Sequence, residues 1–235
     1  MENFDAQEPT PTAGGGWKEQ ARDRIRPLVL TLDKWGATPL SVTIAGTVIA
    51  MLGAWQVAEG NLFWGTVVFL FGSAFDMLDG ALARLQDTVS RRGAFLDSVL
   101  DRFGEAAYLT GVAIWWMDQG GDNWQRAVIL VLVTMFGSLA TSYVRARAEG
   151  VGETCNVGVL QRTERVLLLG LGGLLGHHVL YGVLWVLAIL TLVTTMQRIV
   201  HVAGKLPGPE PRSPIDVHPG PAPEEAPDTD TEETP

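Results

Sequence analysis

Several common features are scarce or missing from the sequence. Its 235 residues include a single cysteine, Cys155. That excludes an internal disulfide and a cysteine-built metal cluster. The first sixteen residues are acidic and lead into Gly14–Gly16. They show no basic start followed by a short apolar core, so no cleavable signal peptide is expected. No phosphate-binding P-loop and no dinucleotide glycine fingerprint occurs, which removes support for a kinase or a dehydrogenase. Lys and Arg are missing from three short stretches, "AEGN", "DQGGDN" and "HHVL". Proline is scarce until the end of the chain, where nine of the thirteen lie beyond Leu206. The same stretch holds eight acidic residues and one base, Arg212, and so accounts for most of the net charge of −9. With few large apolar residues it cannot offset chain entropy. Residues 204–235 are therefore predicted to be a disordered acidic, Pro-rich tail, and residues 1–16 a disordered N-terminus. The acidity argues against a nucleic-acid partner.

Apolar residues are abundant, at 47% of the chain with a mean hydropathy of +0.18. They gather in runs near the roughly 20 residues that cross a bilayer. Six spans are predicted: 39–57, 62–82, 94–117, 124–144, a short glycine-rich one over 165–178 extended a few residues at its start, and 181–202. A soluble bundle could hardly bury six such runs in a chain of this size. Before them, residues 17–36 mix charged and apolar positions like a helix lying on the membrane surface. The predicted fold is thus all-α and integral to the membrane, with a juxtamembrane amphipathic helix ahead of a six-helix domain over 37–203. Sixteen of the seventeen Lys and Arg residues fall on one side of these spans, and only Arg126 lies opposite. By the positive-inside rule that side, with both termini, faces the cytoplasm. The expected location is the cell membrane, multi-pass, among its lipids.

Charge inside this apolar pattern stands out. The segment 76–102 reads "DMLDGALARLQDTVSRRGAFLDSVLDR". Spacings of three and four put Asp76 with Asp79, and Asp97 with Asp101, on single helix faces. The short link 85–92 makes the two helices antiparallel neighbours, so all four carboxylates converge near the cytoplasmic surface. Four such charges repel strongly unless hard cations such as Mg²⁺ bridge them. Gly80 and Gly93 leave the backbone open to a substrate.

The full pattern, D-x2-D-G-x2-A-R-x8-G-x3-D-x3-D, resembles the signature of the CDP-alcohol phosphotransferases, with no departure at any of its eight fixed positions. The resemblance implies six transmembrane helices, a homodimer, and two divalent ions, Mg²⁺ or Mn²⁺. It also implies attack of an alcohol on the β-phosphorus of a CDP-linked lipid, with release of CMP. By similarity Asp76, Asp79, Asp97 and Asp101 are metal ligands and Asp101 is also the general base. Gly80, Ala83, Arg84 and Gly93 would hold the CDP-lipid, Arg84 through its forked donors. Arg145, Arg147, Arg162, Arg165 and Arg198 crowd the same mouth and suit a dianionic phosphate on the acceptor. Alternatively, they are ordinary cytoplasmic-side bases touching lipid headgroups.

Within the family, "GAFLDSVLDRFGEAA", the "RARAE" block, Arg162 with Arg165, and Gln197–Arg198 are similar to prokaryotic phosphatidylinositol-phosphate synthases and their archaeal ether-lipid counterparts. That likeness implies CDP-diacylglycerol as donor and inositol phosphate as acceptor. Glycerol phosphate is the alternative acceptor. The departures are Arg145 where the family tends to have Lys, Gln161 and Thr163 where it tends to have Glu and Pro, and Leu40 where Asp or Asn is common. The alternatives are four aspartates salt-bridged to nearby arginines, or a cation transporter, which would leave Gly80, Ala83, Arg84 and Gly93 without a role. Glu105 extends the Asp97–Asp101 stripe by one turn and is read as the partner of an arginine. Arg91 and Arg92 either grip phosphate or face water, and Arg92, beside Gly93, is the better phosphate contact of the two. His177 and His178 point apart on a helix and are not expected to bind metal. The eight tryptophans mark interfaces with lipid, and "GLGGLLG" over 170–176 suits close helix packing.

Overall fold

The computed structural model describes residues 16–121 and 123–206. The expected disordered termini fall, up to residue 15 and from residue 207, outside the described residues. The described residues form eight helices: α1 (Gly16–Lys34), α2 (Pro39–Ala58), α3 (Leu62–Ser73), α4 (Phe75–Leu85), α5 (Arg91–Gln119), α6 (Trp124–Gly150), α7 (Arg162–Leu175) and α8 (His177–Ala203).

Each start has a local cause. Pro39 occupies the first turn of α2, where its missing N–H is not needed. Thr38 and Ser41 close a capping box ahead of it, each side chain accepting from the other's backbone N–H, at 3.2 and 3.0 Å. Ser90 caps α5 by accepting from the Gly93 N–H at 3.1 Å. Gly176 alone separates α7 from α8, and its φ of +100° is a conformation that favours glycine. The stretch His177–Leu180, free of Lys and Arg, is therefore the first turn of α8. Leu180 is fully buried and would meet a β carbon on Gly172 at 3.0 Å. Packing with α7 pulls this segment into the helix.

Among the described residues, four helical segments are long and apolar enough to cross a membrane: 39–58, 62–85, 124–150 and 177–203. They match the first, second, fourth and sixth predicted spans. The other two fall short for physical reasons. The 29 residues of α5 reach about 43 Å, but Asp97, Asp101, Arg102 and Glu105 lower its hydropathy. The 14 residues of α7 reach about 21 Å, against a hydrocarbon core of about 30 Å. The second apolar segment is also interrupted. The helix breaks at Ala74, whose N–H bonds Leu70 O at 3.0 Å and Phe71 O at 3.2 Å. It restarts as α4 with Asp76 in the first turn.

Glycines set the central contact. A β carbon on Gly53 would lie 2.4 Å from Phe69 N, and one on Gly72 would lie 2.4 Å from Ala50 N. Gly46 and Gly65 are equally tight, so α2 and α3 meet backbone to backbone. Gly111 lets α5 approach α2 in the same way: a β carbon there would lie 2.3 Å from Ala54 O. Gly173 of α7 stands over Thr66 and Tyr108, whose hydroxyls are 2.7 Å apart. Tyr108 in turn stacks on Phe69, centroids 4.0 Å apart. Gly53→Val is expected to destabilise the fold by about 2 kcal/mol or more through overpacking. Gly182→Ala, with open space around it, should gain about 0.5–1 kcal/mol. Thermal unfolding in detergent reads both, and equal unfolding temperatures for the two variants would refute the close α2–α3 packing.

A smaller cluster docks α1. Val29 is buried with Val42, Leu78 and Leu82. Gln86 Nε2 donates to Asp33 Oδ1 at 2.8 Å and to Ala37 O at 3.0 Å. These contacts tie the end of α4 to the end of α1.

Candidate active site

The helix restart at Ala74 places Asp76 at the top of α4, facing the first turns of α5. Asp76, Asp97 and Asp101 each offer a carboxylate oxygen, all within 4.8 Å of one another. Asp79, one turn along α4, stands outside this group of three. It is buried, and its Oδ2 accepts from Thr43 Oγ1 at 2.6 Å. Thr43 lies on α2 and was not singled out in the sequence. Its signal is weak, one of four hydroxyl residues from Thr38 to Thr47 at the start of an apolar run.

The arginines divide by environment. Arg162, in the first turn of α7, donates to Asp76 and forms an ion pair with Asp101 at 2.6 Å. Its guanidinium lies between two of the three gathered carboxylates. Arg165, one turn later, is buried and pairs with Glu105 along one edge, Nε to Oε1 at 2.9 Å and Nη2 to Oε2 at 3.0 Å. Glu105 thus has the arginine partner that its place on the stripe suggested. Ser138 of α6 also donates to its Oε1, at 2.9 Å. Arg198 is buried too, its Nε donating to Val157 O and its Nη1 to Thr141 O, both at 2.8 Å. Arg145 is exposed and pairs with Glu149 at 3.0 Å, and Arg147 is exposed. The five arginines therefore do not share one setting: one meets the aspartates, two are buried in the framework, and two lie at the surface.

The remaining motif residues line α4 and the start of α5. The Arg84 guanidinium lies over Gly80, where a β carbon would stand 3.5 Å from Nη1. Ala83 is half-buried, while Arg84, Arg91, Arg92 and Gly93 are exposed. Leu40 is partly exposed beside the α2 cap.

This donor set suits a hard divalent cation. All the gathered donors are carboxylate oxygens, the ligand type Mg²⁺ and Mn²⁺ prefer. Oxygens sharing one octahedral Mg²⁺ stand about 3–4 Å apart, so small side-chain rotations would close the triad around an ion. Asp97 Oδ1 is buried with no hydrogen-bond partner among the described residues, a costly state for a carboxylate that a cation would relieve. Arg162 pairs with two of the carboxylates and Arg102 stands near Asp101 and Glu105, so two cations face four carboxylates and the pocket keeps a net negative charge.

Comparisons with known proteins agree with the geometry. The family model described as CDP-alcohol phosphatidyltransferase matches residues 37–197. The chain is similar to the phosphatidylinositol phosphate synthase of Mycolicibacterium smegmatis, 38% identical over 191 residues, covering 78% of this chain and 85% of that protein. It is similar in structure to Mycobacterium tuberculosis phosphatidylinositol phosphate synthase with CDP-DAG bound. There the TM-score is 0.71 at 34% identity, covering 80% of this chain and 98% of the other. The same M. tuberculosis enzyme in complex with manganese and citrate gives a TM-score of 0.72 at 33% identity, covering 80% and 92%. Two thirds of the chain, including every position of the aspartate motif, falls within the matched family model, and the chain belongs to the CDP-alcohol phosphatidyltransferase family.

Proposed function

We propose that this protein transfers the phosphatidyl group of CDP-diacylglycerol to inositol phosphate, giving phosphatidylinositol phosphate and CMP. The observation that carries the reading is the convergence of Asp76, Asp97 and Asp101 from two helices, with one buried carboxylate oxygen left unpartnered. The names of the similar proteins support the donor and the acceptor.

Asp76, Asp79, Asp97 and Asp101 hold two divalent ions, Mg²⁺ or Mn²⁺. Asp79 joins the set by releasing or sharing its Thr43 hydrogen bond. When bound, the ions neutralise the pyrophosphate and the charge growing on the leaving CMP. Arg84 grips the CDP phosphates by forked hydrogen bonds, over a backbone kept open at Gly80, Ala83 and Gly93. Asp101 accepts the proton of the attacking inositol hydroxyl. The new bond joins that oxygen to the β-phosphorus, and the bond from this phosphorus to the bridging oxygen breaks, its electron pair leaving with CMP.

The acceptor's own phosphate is read by Arg145, Arg147, Arg162, Arg165 and Arg198. Arg165 and Arg198 are suited to this because protein acceptors already fix one part of each guanidinium. Glu105 takes Nε and Nη2 of Arg165, leaving Nη1, and backbone carbonyls take Nε and Nη1 of Arg198, leaving Nη2. Donors fixed in advance lose little freedom on binding.

In the membrane, α5 and α7 serve as the third and fifth of six spans beside the four more apolar segments. Asp101 and Glu105 of α5 are buried, and the short α7 packs on α3 and α8. The domain runs over 37–203, with α1 as the interfacial helix, the site and both termini in the cytoplasm, and two copies forming a homodimer.

The test is a product assay on the purified chain in detergent with CDP-diacylglycerol and Mg²⁺, run in parallel with inositol phosphate and with glycerol phosphate. Lipid product and CMP are expected in equal amounts with inositol phosphate alone. Turnover with glycerol phosphate and none with inositol phosphate would overturn the acceptor assignment.

A further inference from the structure

We propose that Glu105 is a positioning residue that sets the charge of the metal pocket. It locks Arg165 in a neutral buried pair, so that of the two arginines on this face of α7 only Arg162 meets the aspartates. The inference rests on the reading of those aspartates as metal ligands.

Two ion pairs stack along the helices. Asp101 pairs with Arg162, and Glu105, four residues on in α5, pairs with Arg165, three residues on in α7. One helical turn, about 5–6 Å, separates them. Glu105 and Arg165 are 4% and 3% exposed, so water screens neither. A guanidinium does not lose its proton in a protein, so the charge of Arg165 has to be balanced in place. An unbalanced cation one turn from the carboxylates would repel a divalent ion, or swing to Asp101 and compete with it. Both outcomes weaken metal binding. Ser138 holds Glu105 Oε1 from a third helix, which keeps Glu105 turned to Arg165 and away from the aspartates.

Stability alone gives this pair little reason to exist. An apolar pair of similar volume commonly holds buried helices as well or better. Charge placement is what a carboxylate supplies here and an apolar residue does not.

The test is Mn²⁺ affinity of the full chain in detergent, measured by electron paramagnetic resonance without substrates. Glu105→Gln is expected to bind Mn²⁺ at least fivefold more weakly than the unsubstituted protein. Glu105→Gln combined with Arg165→Gln is expected within fivefold of it, because the pair again carries no charge. A scaffolding role would not be rescued by losing the second partner. An affinity loss under fivefold in Glu105→Gln, or one that persists in the double variant, overturns the proposal. If Glu105→Gln does not fold, the double variant decides alone, and a loss beyond fivefold overturns the proposal. Asp97→Asn is the control for the underlying reading: unchanged Mn²⁺ binding there would remove the aspartates as ligands, whatever Glu105 does.

Discussion

Asp101→Asn is expected to lower turnover by at least about 10³-fold, within the range for losing a general base, while the protein still folds. Asp101 is nearly buried at the junction of α4, α5 and α7, where its Oδ2 pairs with Arg162 at 2.6 Å. Asparagine has the same size and can still accept a hydrogen bond from Arg162, so packing should survive. It cannot take the acceptor's proton and is a poor ligand for a hard cation. Both losses fall on the chemical step. Product formation from CDP-diacylglycerol and inositol phosphate measures the rate, and the unfolding temperature checks the fold. A rate near that of the unsubstituted protein would remove Asp101 as base.

Stripping divalent ions with a chelator should reduce turnover to background, with recovery on adding Mg²⁺ or Mn²⁺. Three carboxylates within 4.8 Å and a fourth one turn away leave a net negative pocket even with Arg162 in place. A pyrophosphate cannot approach such a pocket without cations. A second reading is independent of activity. A ligand that binds only the folded state stabilises it by about 2.7 kcal/mol at one hundred times its dissociation constant, so Mn²⁺ should raise the unfolding temperature. Asp97→Asn should abolish that rise. Full turnover in chelator, or an equal rise in Asp97→Asn, would count against metal binding here.

The aspartate stripes are legible in the sequence because helical spacing fixes which residues share a face. Glu105 is legible for the same reason. The expected side-by-side packing of the two aspartate helices is not what joins them: α4 and α5 both pack on α2 and hardly on each other. The break at Ala74 is not legible. Gly72-Ser73-Ala74 contains no proline, and the interruption arises where α3 packs its backbone on Gly46 and Ala50. The spacing of Gly46 and Gly53, matched by Gly65 and Gly72, does carry a signal. Each pair is seven residues apart, so it lines one helix face. The arginines show the limit of reading charge alone. Composition places Arg145, Arg162, Arg165 and Arg198 on one side of the membrane. Burial and partner choice, which separate Arg165 and Arg198 from Arg145, depend on where Glu105, Thr141 and Val157 lie in three dimensions. The short α7 has a related cause. Its glycines leave it weakly apolar, and its position is set by Leu70, Thr66 and Tyr108 on neighbouring helices.

The most direct measurement is anomalous diffraction from crystals of the full chain grown with manganese. Peaks are expected in the pocket bounded by Asp76, Asp79, Asp97 and Asp101, within about 2.0–2.4 Å of carboxylate oxygens. Manganese bound elsewhere, with Asp76 and Asp101 still joined through Arg162, would contradict a metal-dependent transferase built on these helices.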